Sequence, residues 1–469
     1  MWGQRQSAMI AEIMLLATGP EGEFLNKNIP ETLPTLTNGF YKHYMPERSV
    51  LAWKANGILY FDRNFTNELF KNIEDFMRRF FQFCKDLKTK ELSFLTNGEL
   101  KKIVLTYKDF HLRAMNYFGT STPSATWKVE QKIKEIIKEE INDSEKEEEL
   151  FLSLSTPNEK DATMQERLDF LKLANKEEFN EEELNYHAEK YPALFFNTYS
   201  RKEVMDFLKK RIEEDKEVSF IDEERRIKEN LKKIKKKHEE IYNLFQNEDL
   251  QYYSRILQKS ALYRYKLKHV WSGAEYLCLD LLKEIQKRIH IPFDDFIKVY
   301  MFIDIFNFLE AKSVLTEKQV EERKKGVASH YVNGTVQFYF GQNALDLKKK
   351  FIGVENKKEE IRGVVANKGK IKGIVRIVHV HDLKTFTKDS ALFERGEILV
   401  TTMTSPIMVP LIEKASGIIT DEGGICSHAA VISREFDIPC IVGTKGASFI
   451  LKTGDEIELD ADNGIVNKA

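Results

Sequence analysis

Along the lysine- and glutamate-rich middle of the chain, Ile227, Leu231, Ile234, Ile241 and Leu244 recur three, four or seven places apart. That period gathers them on one side of a helix, so an amphipathic helix with a single apolar seam is predicted; the seam is too short to specify a coiled coil. From about 160 to 315 the reading is almost wholly helical. A second helix, over roughly 251 to 290, is far richer in aromatics, with Tyr252, Tyr253, Tyr263, Tyr265, Trp271 and Tyr276, and is the better candidate to line a pocket. Before this, residues 1 to about 130 mix helical periodicity with one hairpin signal, Asn56-Gly57 in SVLAWKANGILYF. A second Asn-Gly pair, Asn333-Gly334, sits in SHYVNGTVQFYFG; both have the residues a type I′ turn prefers. DSEKEEEL, residues 143 to 150, reads as a solvated helix end or loop without a function of its own.

The pattern changes after residue 363. KIKGIVRIVHV, GEILVTTM, SGIITD, IPCIVGT and DEIELDA are short β-branched runs separated by glycine and charged turns. Two helical stretches interrupt them, SPIMVPLIEKA and SHAAVISREF; the first has Ser405 as N-cap and Pro406 at the first helical position. IGVENKKEEIRG, residues 352 to 363, is charged, poor in apolar residues and glycine-bounded, the composition of an extended linker. The expected architecture is therefore multidomain. A mainly α-helical N-terminal region with small β-hairpins comprises 1–130, mixed and helical, and 131–351, helical and acceptor-binding. The hinge at 352–363 then leads to a compact α/β domain at 364–469.

Composition narrows the partners without naming one. A chain of 469 residues with 42% hydrophobic content can bury more than one core. Its 72 Lys+Arg nearly balance 74 Asp+Glu, so no global field favours nucleic acid or an anionic membrane. No apolar run reaches the ~18 residues of a bilayer span, and the N-terminus, which carries Glu12 and no small-residue cleavage site, makes a poor secretory signal. Cys84, Cys278, Cys426 and Cys440 are widely spaced, so a reducing cytoplasm is the expected location.

The densest chemistry lies in TDEGGICSHAAVISREFDIPC, residues 420 to 440. A strand ending at Thr420-Asp421 runs into Gly423-Gly424, and Ser427 can cap a helix whose first residue is His428. Such a turn sets an imidazole beside unpaired N–H groups at the positive end of a helix dipole. The glycines remove the bulk that would keep a phosphate from the backbone. An imidazole at that corner can attack a phosphoryl group and carry it as a phosphoramidate. A lone histidine at a helix start is also, commonly, a polar surface residue, and spacing alone leaves both readings open.

At these residues the chain resembles the swivelling phosphohistidine domain of the phosphoenolpyruvate-utilising enzymes, among them phosphoenolpyruvate synthase, pyruvate phosphate dikinase, the sugar-phosphotransferase Enzyme I and rifampicin phosphotransferase. The matching segments occur in the family's order: GEILVT (396–401), TSP (404–406), TDEGG (420–424), SHAA (427–430), SRE (433–435) and IPCIVGT (438–444). They span roughly the last quarter of the chain. The resemblance implies that His428 takes a phosphoryl group at one site, swings on the 352–363 linker and delivers it at another. Donors in the family are ATP with magnesium, or phosphoenolpyruvate. Where several relatives have a regulatory threonine two places before the histidine, this chain has Cys426, so that regulation does not transfer.

No glycine-rich phosphate loop or ATP-grasp-like stretch stands upstream, and the chain ends at Ala469, so it is expected to lack both the ATP-grasp half and the pyruvate barrel. The layout resembles rifampicin phosphotransferase without its nucleotide half, or the split phenylphosphate synthase; HAEKYPALFFNTYS (187–200) and EERKKG (321–326) also resemble helical portions found with this tail. On that analogy a separate ATP-grasp protein loads His428 and the helical region holds a small-molecule acceptor. The expected phosphate-binding set is Gly423, Gly424, Ser427, Thr404, Ser405 and Arg434, though Arg434 can equally pair with a surface carboxylate. For the acceptor the aromatic and basic cluster Tyr263, Arg264, Tyr265, His269 and Trp271, with His187 and Tyr191, is the candidate set, against a plain core reading. His379 and His381, followed by Asp382, lack a third ligand at metal spacing, so no metal site is expected. The alternative function is a non-catalytic docking or regulatory protein that retains the swivel domain.

Overall fold

The Asn333-Gly334 pair closes a hairpin between β4 (Val327–Val332) and β5 (Thr335–Phe340), with φ of 46° and 87° at the two turn residues, as a type I′ turn requires. It belongs to a computed structural model that describes residues 2–5, 7–37, 40–311, 313–352, 361–380, 383–425 and 427–468. The chain forms two compact units and passes through each twice: Met1–Ala125 with Leu267–Asn356, and Thr126–Lys266 with Lys357–Ala469. This division differs from the expected limits at 130/131 and 351/352, because the helices from Leu267 onward pack with the N-terminal unit. Of the 352–363 linker, residues 353–360 lie outside the described residues, and Ile361–Arg362 is already a strand.

In the first unit β4 returns to an antiparallel sheet begun by β1 (Trp2–Arg5), β2 (Glu31–Thr37) and β3 (Phe40–Tyr44), giving the order β1-β3-β2-β4-β5. Beneath it the helix Ala8–Ala17 is apolar on all sides and almost entirely buried, which fits a core helix rather than a surface one. Its one charged group, Glu12, accepts the Phe302 backbone N–H at 2.6 Å, and burial pushes its carboxyl up to about 7.

The Asn56-Gly57 hairpin does not form. Helix Glu47–Asn56 runs into a 3₁₀ turn at Gly57–Phe61, with φ of −60° at Asn56 and −56° at Gly57, whereas a type I′ turn needs positive φ at both. The Asn56 amide instead donates to the carbonyls of Leu25 and Lys27 at 2.8 and 2.7 Å. These tertiary bonds override a local preference worth little by itself. The aromatic helix expected over 251–290 is three pieces, Glu248–Trp271, Ala274–Leu277 and Leu279–Ile289.

The second unit pairs helices with a sheet. Helix Phe220–Phe245 carries the predicted seam in part: Ile227 packs with Met164, Leu168 and Leu231, and Ile241 is buried, but Leu244 is 62% exposed. DSEKEEEL becomes the start of helix Ser144–Ser155, capped by Asp143, whose carboxylate accepts the N–H groups of Glu145 and Lys146. The sheet contains β6 (Ile361–Arg362), β7 (Val364–Asn367), β8 (Lys370–Ile377), β9 (Ile398–Thr401), β10 (Gly417–Thr420), β11 (Cys440–Val442), β12 (Glu456–Asp460) and β13 (Ile465–Lys468). Their order is β6-β13-β12-β8-β9-β10-β11-β7. The central four, β8 to β11, are parallel and the flanking strands antiparallel. Val375, Ile398, Val400, Ile419 and Ile441 form the core that explains the near-continuous apolar runs, since parallel strands are covered on both faces.

Candidate functional site

The carboxyl ends of β9 and β10 lie side by side, the position at which open parallel sheets gather their chemistry. Two backbone bonds stitch the loops leaving them: Asp421 N–H to Thr401 O at 3.1 Å and Glu422 N–H to Thr402 O at 2.9 Å. Asp421 then holds the next loop, accepting the Ser448 backbone N–H at 2.9 Å and the Thr444 hydroxyl at 3.3 Å. Burial raises the Asp421 carboxyl from its ordinary range, with these hydrogen bonds opposing the shift. Sequence reading passed over this clasp, although an aspartate at a strand end beside glycine is the available signal.

The glycine turn is needed where it stands. Gly423 has φ of 120°, and a Cβ there would meet Ser427 Oγ at 2.9 Å and the Ser427 Cβ at 3.0 Å. Ser427 donates its backbone N–H to Gly424 O at 2.8 Å, and its hydroxyl caps helix His428–Glu435 by accepting the Ala430 N–H at 3.3 Å. Ala429 and Ala430 are buried, so the helix lies close on the sheet. Cys426, between them and the glycines, lies outside the described residues.

His428, partly buried, has its Nδ1 2.7 Å from the hydroxyl of Thr404, which is itself buried. Over the same imidazole lies the Tyr265 ring, with centroids 5.6 Å apart and planes 29° from parallel. Of the phosphate-binding set, Thr404 meets the imidazole directly, while Gly423 and Gly424 contact Ser427, the residue before His428. Ser405 follows Thr404 and accepts the Met408 N–H on its carbonyl at 2.9 Å. The single helix expected over 405–415 is a 3₁₀ turn, Pro406–Met408, and a four-residue helix, Val409–Ile412, because Pro410 has no N–H to continue the ladder. Arg434 donates to backbone carbonyls, Ile425 at 3.1 Å and Ala366 at 3.4 Å, and so braces the glycine loop against β7.

The acceptor set is dispersed. Tyr265 reaches the imidazole, and Arg264 precedes it on the same turn. His269 and Trp271 lie in the first unit, where Trp271 is buried edge-on against Phe118. His187 is buried against Glu166, with 2.9 Å between Nε2 and the carboxylate, and the Tyr191 hydroxyl donates to Asp169 at 2.5 Å. His187 also borders a 390 Å³ pocket rimmed by Asp169, Glu182, Glu183, Tyr186 and Lys190. His379 bonds Asp389 at 2.8 Å, while His381 and Asp382 lie outside the described residues.

Residues 393–464 match the model of the PEP-utilising enzyme, mobile domain, so the C-terminal part of this chain is a mobile domain of that kind. Over that region the chain is 41% identical across 118 residues to the "Probable phosphoenolpyruvate synthase" of Staphylothermus marinus, covering 25% of this chain and 14% of that protein. It is 45% identical across 115 residues to the "Phosphoenolpyruvate synthase" of Pyrococcus furiosus, covering 24% and 13%. To the "Uncharacterized phosphotransferase YvkC" of Bacillus subtilis it is 33% identical across 151 residues, covering 30% and 17%. The chain thus spans between 13% and 17% of the length of these relatives.

Proposed function

We propose that this chain is the histidine-bearing component of a phosphotransferase, in which His428 accepts a phosphoryl group and passes it to an acceptor held by the helices of the second unit. The observation that carries the reading is the 2.7 Å contact between Thr404 Oγ1 and His428 Nδ1 at the mouth of the glycine turn. With the imidazole proton on Nδ1 and donated to Thr404, the neutral tautomer places its lone pair on Nε2. Nε2 attacks phosphorus, the bond from phosphorus to the donor's leaving oxygen breaks, and a phosphoramidate forms. In the second half, an acceptor oxygen attacks phosphorus, the phosphorus–nitrogen bond breaks, and the acceptor's proton goes to solvent. The Ser427-capped helix start, with its N–H groups and dipole, favours the added negative charge.

The donor in this reading is ATP with magnesium, or phosphoenolpyruvate, presented by a separate ATP-grasp protein. Among the described residues no group of three or more His, Cys, Asp or Glu is placed to hold a metal, and in this reading magnesium arrives with ATP on the partner. The supporting likeness is to relatives named synthase and phosphotransferase. The test is incubation of the full chain with magnesium and labelled ATP, with and without an ATP-grasp partner, and separately with labelled phosphoenolpyruvate. The expected product is an acid-labile, alkali-stable label absent from His428→Ala. Absence of label with every donor would sink the relay and leave the docking alternative.

A further inference from the structure

The 390 Å³ pocket that His187 borders lies between helices Ala162–Ala174 and Glu181–Lys190 of the second unit, within the ~300–1,000 Å³ range of small-molecule sites. Asp169 and Leu173 line it from the first helix, and Glu182, Glu183, Tyr186, His187 and Lys190 from the second.

Most of its charges are already matched. Asp169 pairs with Lys190 at 2.5 Å, and also accepts the Tyr191 hydroxyl at 2.5 Å and the Gln165 amide at 3.0 Å. Glu183 pairs with Lys176 and closes a capping box with Asn180. Glu182 makes no ion pair or hydrogen bond among the described residues, which leaves one carboxylate charge unmatched. Tyr186 stands one turn further along the same helical face and is 68% exposed, so its ring offers a face to whatever enters.

His187 supplies the observation that points to a ligand. Its side chain is only 3% exposed and its Nε2 is bonded to Glu166 at 2.9 Å, yet Nδ1 has no hydrogen-bond partner among the described residues. Buried polar groups are seldom left unmatched. With the Nε2 proton donated to the Glu166 carboxylate, the neutral imidazole presents a lone pair at Nδ1. A lone pair, an unmatched carboxylate and an aromatic face all favour a cation that carries N–H donors. The carboxylates of Glu181, Glu182 and Glu183 also suit the positive end of their helix. That accounts for the sign of the first turn, but not for the buried acceptor atom on a residue that lines the cavity.

We infer that this cavity binds a small primary amine in its ammonium form. The ammonium donates to His187 Nδ1 and lies beside Glu182, and its hydrocarbon stem rests against Tyr186 and Leu173. No residue of the His428 turn lines the cavity, and the inference does not rest on the phosphohistidine relay.

The experiment measures binding of hexylamine, hexan-1-ol, hexanoate and hexyltrimethylammonium to the full chain near neutral pH. Hexylamine is expected to bind about tenfold tighter than each of the others, equivalent to about 1.4 kcal/mol. The alcohol lacks the charge, the carboxylate has the opposite one, and the trimethyl head lacks N–H donors. Glu182→Gln and Tyr186→Ala should each weaken hexylamine binding by about fivefold, and because both side chains are exposed, each variant should unfold at the wild-type urea midpoint. Undetectable binding of hexylamine, binding no tighter than that of hexan-1-ol or hexanoate, or a preference untouched by both substitutions would overturn the site. Equal affinity for hexylamine and hexyltrimethylammonium would remove the role of His187 Nδ1 and with it the primary-ammonium class. Labelling of His428 is read independently, so the relay and this site can each fail while the other stands.

Discussion

The Tyr265 ring covers the His428 imidazole at 5.6 Å between centroids, and the two residues come from different stretches of the second unit, a helix of its N-terminal half and the turn after β10. A ring in that position meets the imidazole when the helices hold the mobile domain, which in the proposed relay is the delivery pose. Replacing Tyr265 with Ala is expected to leave donor labelling of His428 within about twofold, while slowing acceptor-dependent loss of label by about tenfold, the scale of one aromatic pair and its packing. Tyr265→Phe keeps the stacked ring and should keep both rates. Equal losses in loading and delivery would show that Tyr265 serves folding rather than docking.

Thr404 is expected to set the histidine's tautomer. Thr404→Val preserves shape and removes the partner of Nδ1. A hydrogen bond of this type contributes about 1 kcal/mol net, so the variant should lose about that much in urea unfolding, and its labelling rate should fall by about fivefold. The distinguishing readout is the imidazole nitrogen spectrum: wild type shows the proton on Nδ1, and the variant a mixture. An unchanged spectrum together with slower labelling would mean that Thr404 acts on the phosphate instead.

Gly423→Ala should be costly out of proportion to one methyl group. The residue has φ of 120°, and the new Cβ would press on Ser427, the residue that caps the His428 helix. Strain of this kind costs on the order of 1–3 kcal/mol, and a displaced cap adds about 1 kcal/mol. Urea unfolding of the variant should show the loss. Gly454→Ala, with φ of 93° but nothing within 4 Å of a new Cβ, is the control for backbone strain without the collision.

Much of the mobile domain could be read in advance because its signals are local. β-branched runs, a capped helix and a glycine turn each announce themselves within a few residues, and Ser427, His428 and Gly423 stand where that reading put them. Pro410 was equally visible, and the break it makes in the 405–415 helix follows from the same local rule. What escaped was everything fixed by distant partners. Asn56 is turned from hairpin to helix end by carbonyls near residue 26, and the return of the chain at Leu267 carries Trp271 into another core. Tyr265 was one aromatic among many, and no period along one helix could show which of them would meet the imidazole of a turn 163 residues further on.

Two buried carboxyls make stability fall as pH rises. Burial raises Glu12 to about 7 and Glu435 to about 8, both from 4.5. A folded-state value above the unfolded one means that the folded chain binds more protons between the two, so the contribution is complete below pH 4.5 and is lost as pH climbs toward 7 and 8. The buried imidazoles of His43 and His111, pushed down to about 3, act in the opposite sense up to pH 6.5, so the carboxyl contribution is read as a difference between proteins. The wild-type urea midpoint minus that of Glu12→Gln with Glu435→Gln should decline from about pH 5 to about pH 8. A difference that is constant or rises over that window would contradict both assignments.

The opposite limb belongs to Glu166, and it separates a structural role for His187 from an acceptor role. Burial alone would raise the Glu166 carboxyl, but Arg211, bonded through both terminal nitrogens at 2.6 and 3.1 Å, and His187 at 2.9 Å hold it at about 2. A depressed value contributes stability that is present above pH 4.5 and lost as pH falls toward 2. Removing the carboxylate leaves Arg211 buried without its bidentate partner, a loss of about 3–5 kcal/mol in Glu166→Ala. His187→Ala keeps the Arg211 pair and should cost about 1–2 kcal/mol. Because the imidazole is committed to Glu166, His187→Ala should lower the urea midpoint and leave the acceptor concentration for half-maximal loss of His428 label unchanged. A raised half-saturating concentration at an unchanged midpoint would instead return His187 to the acceptor site.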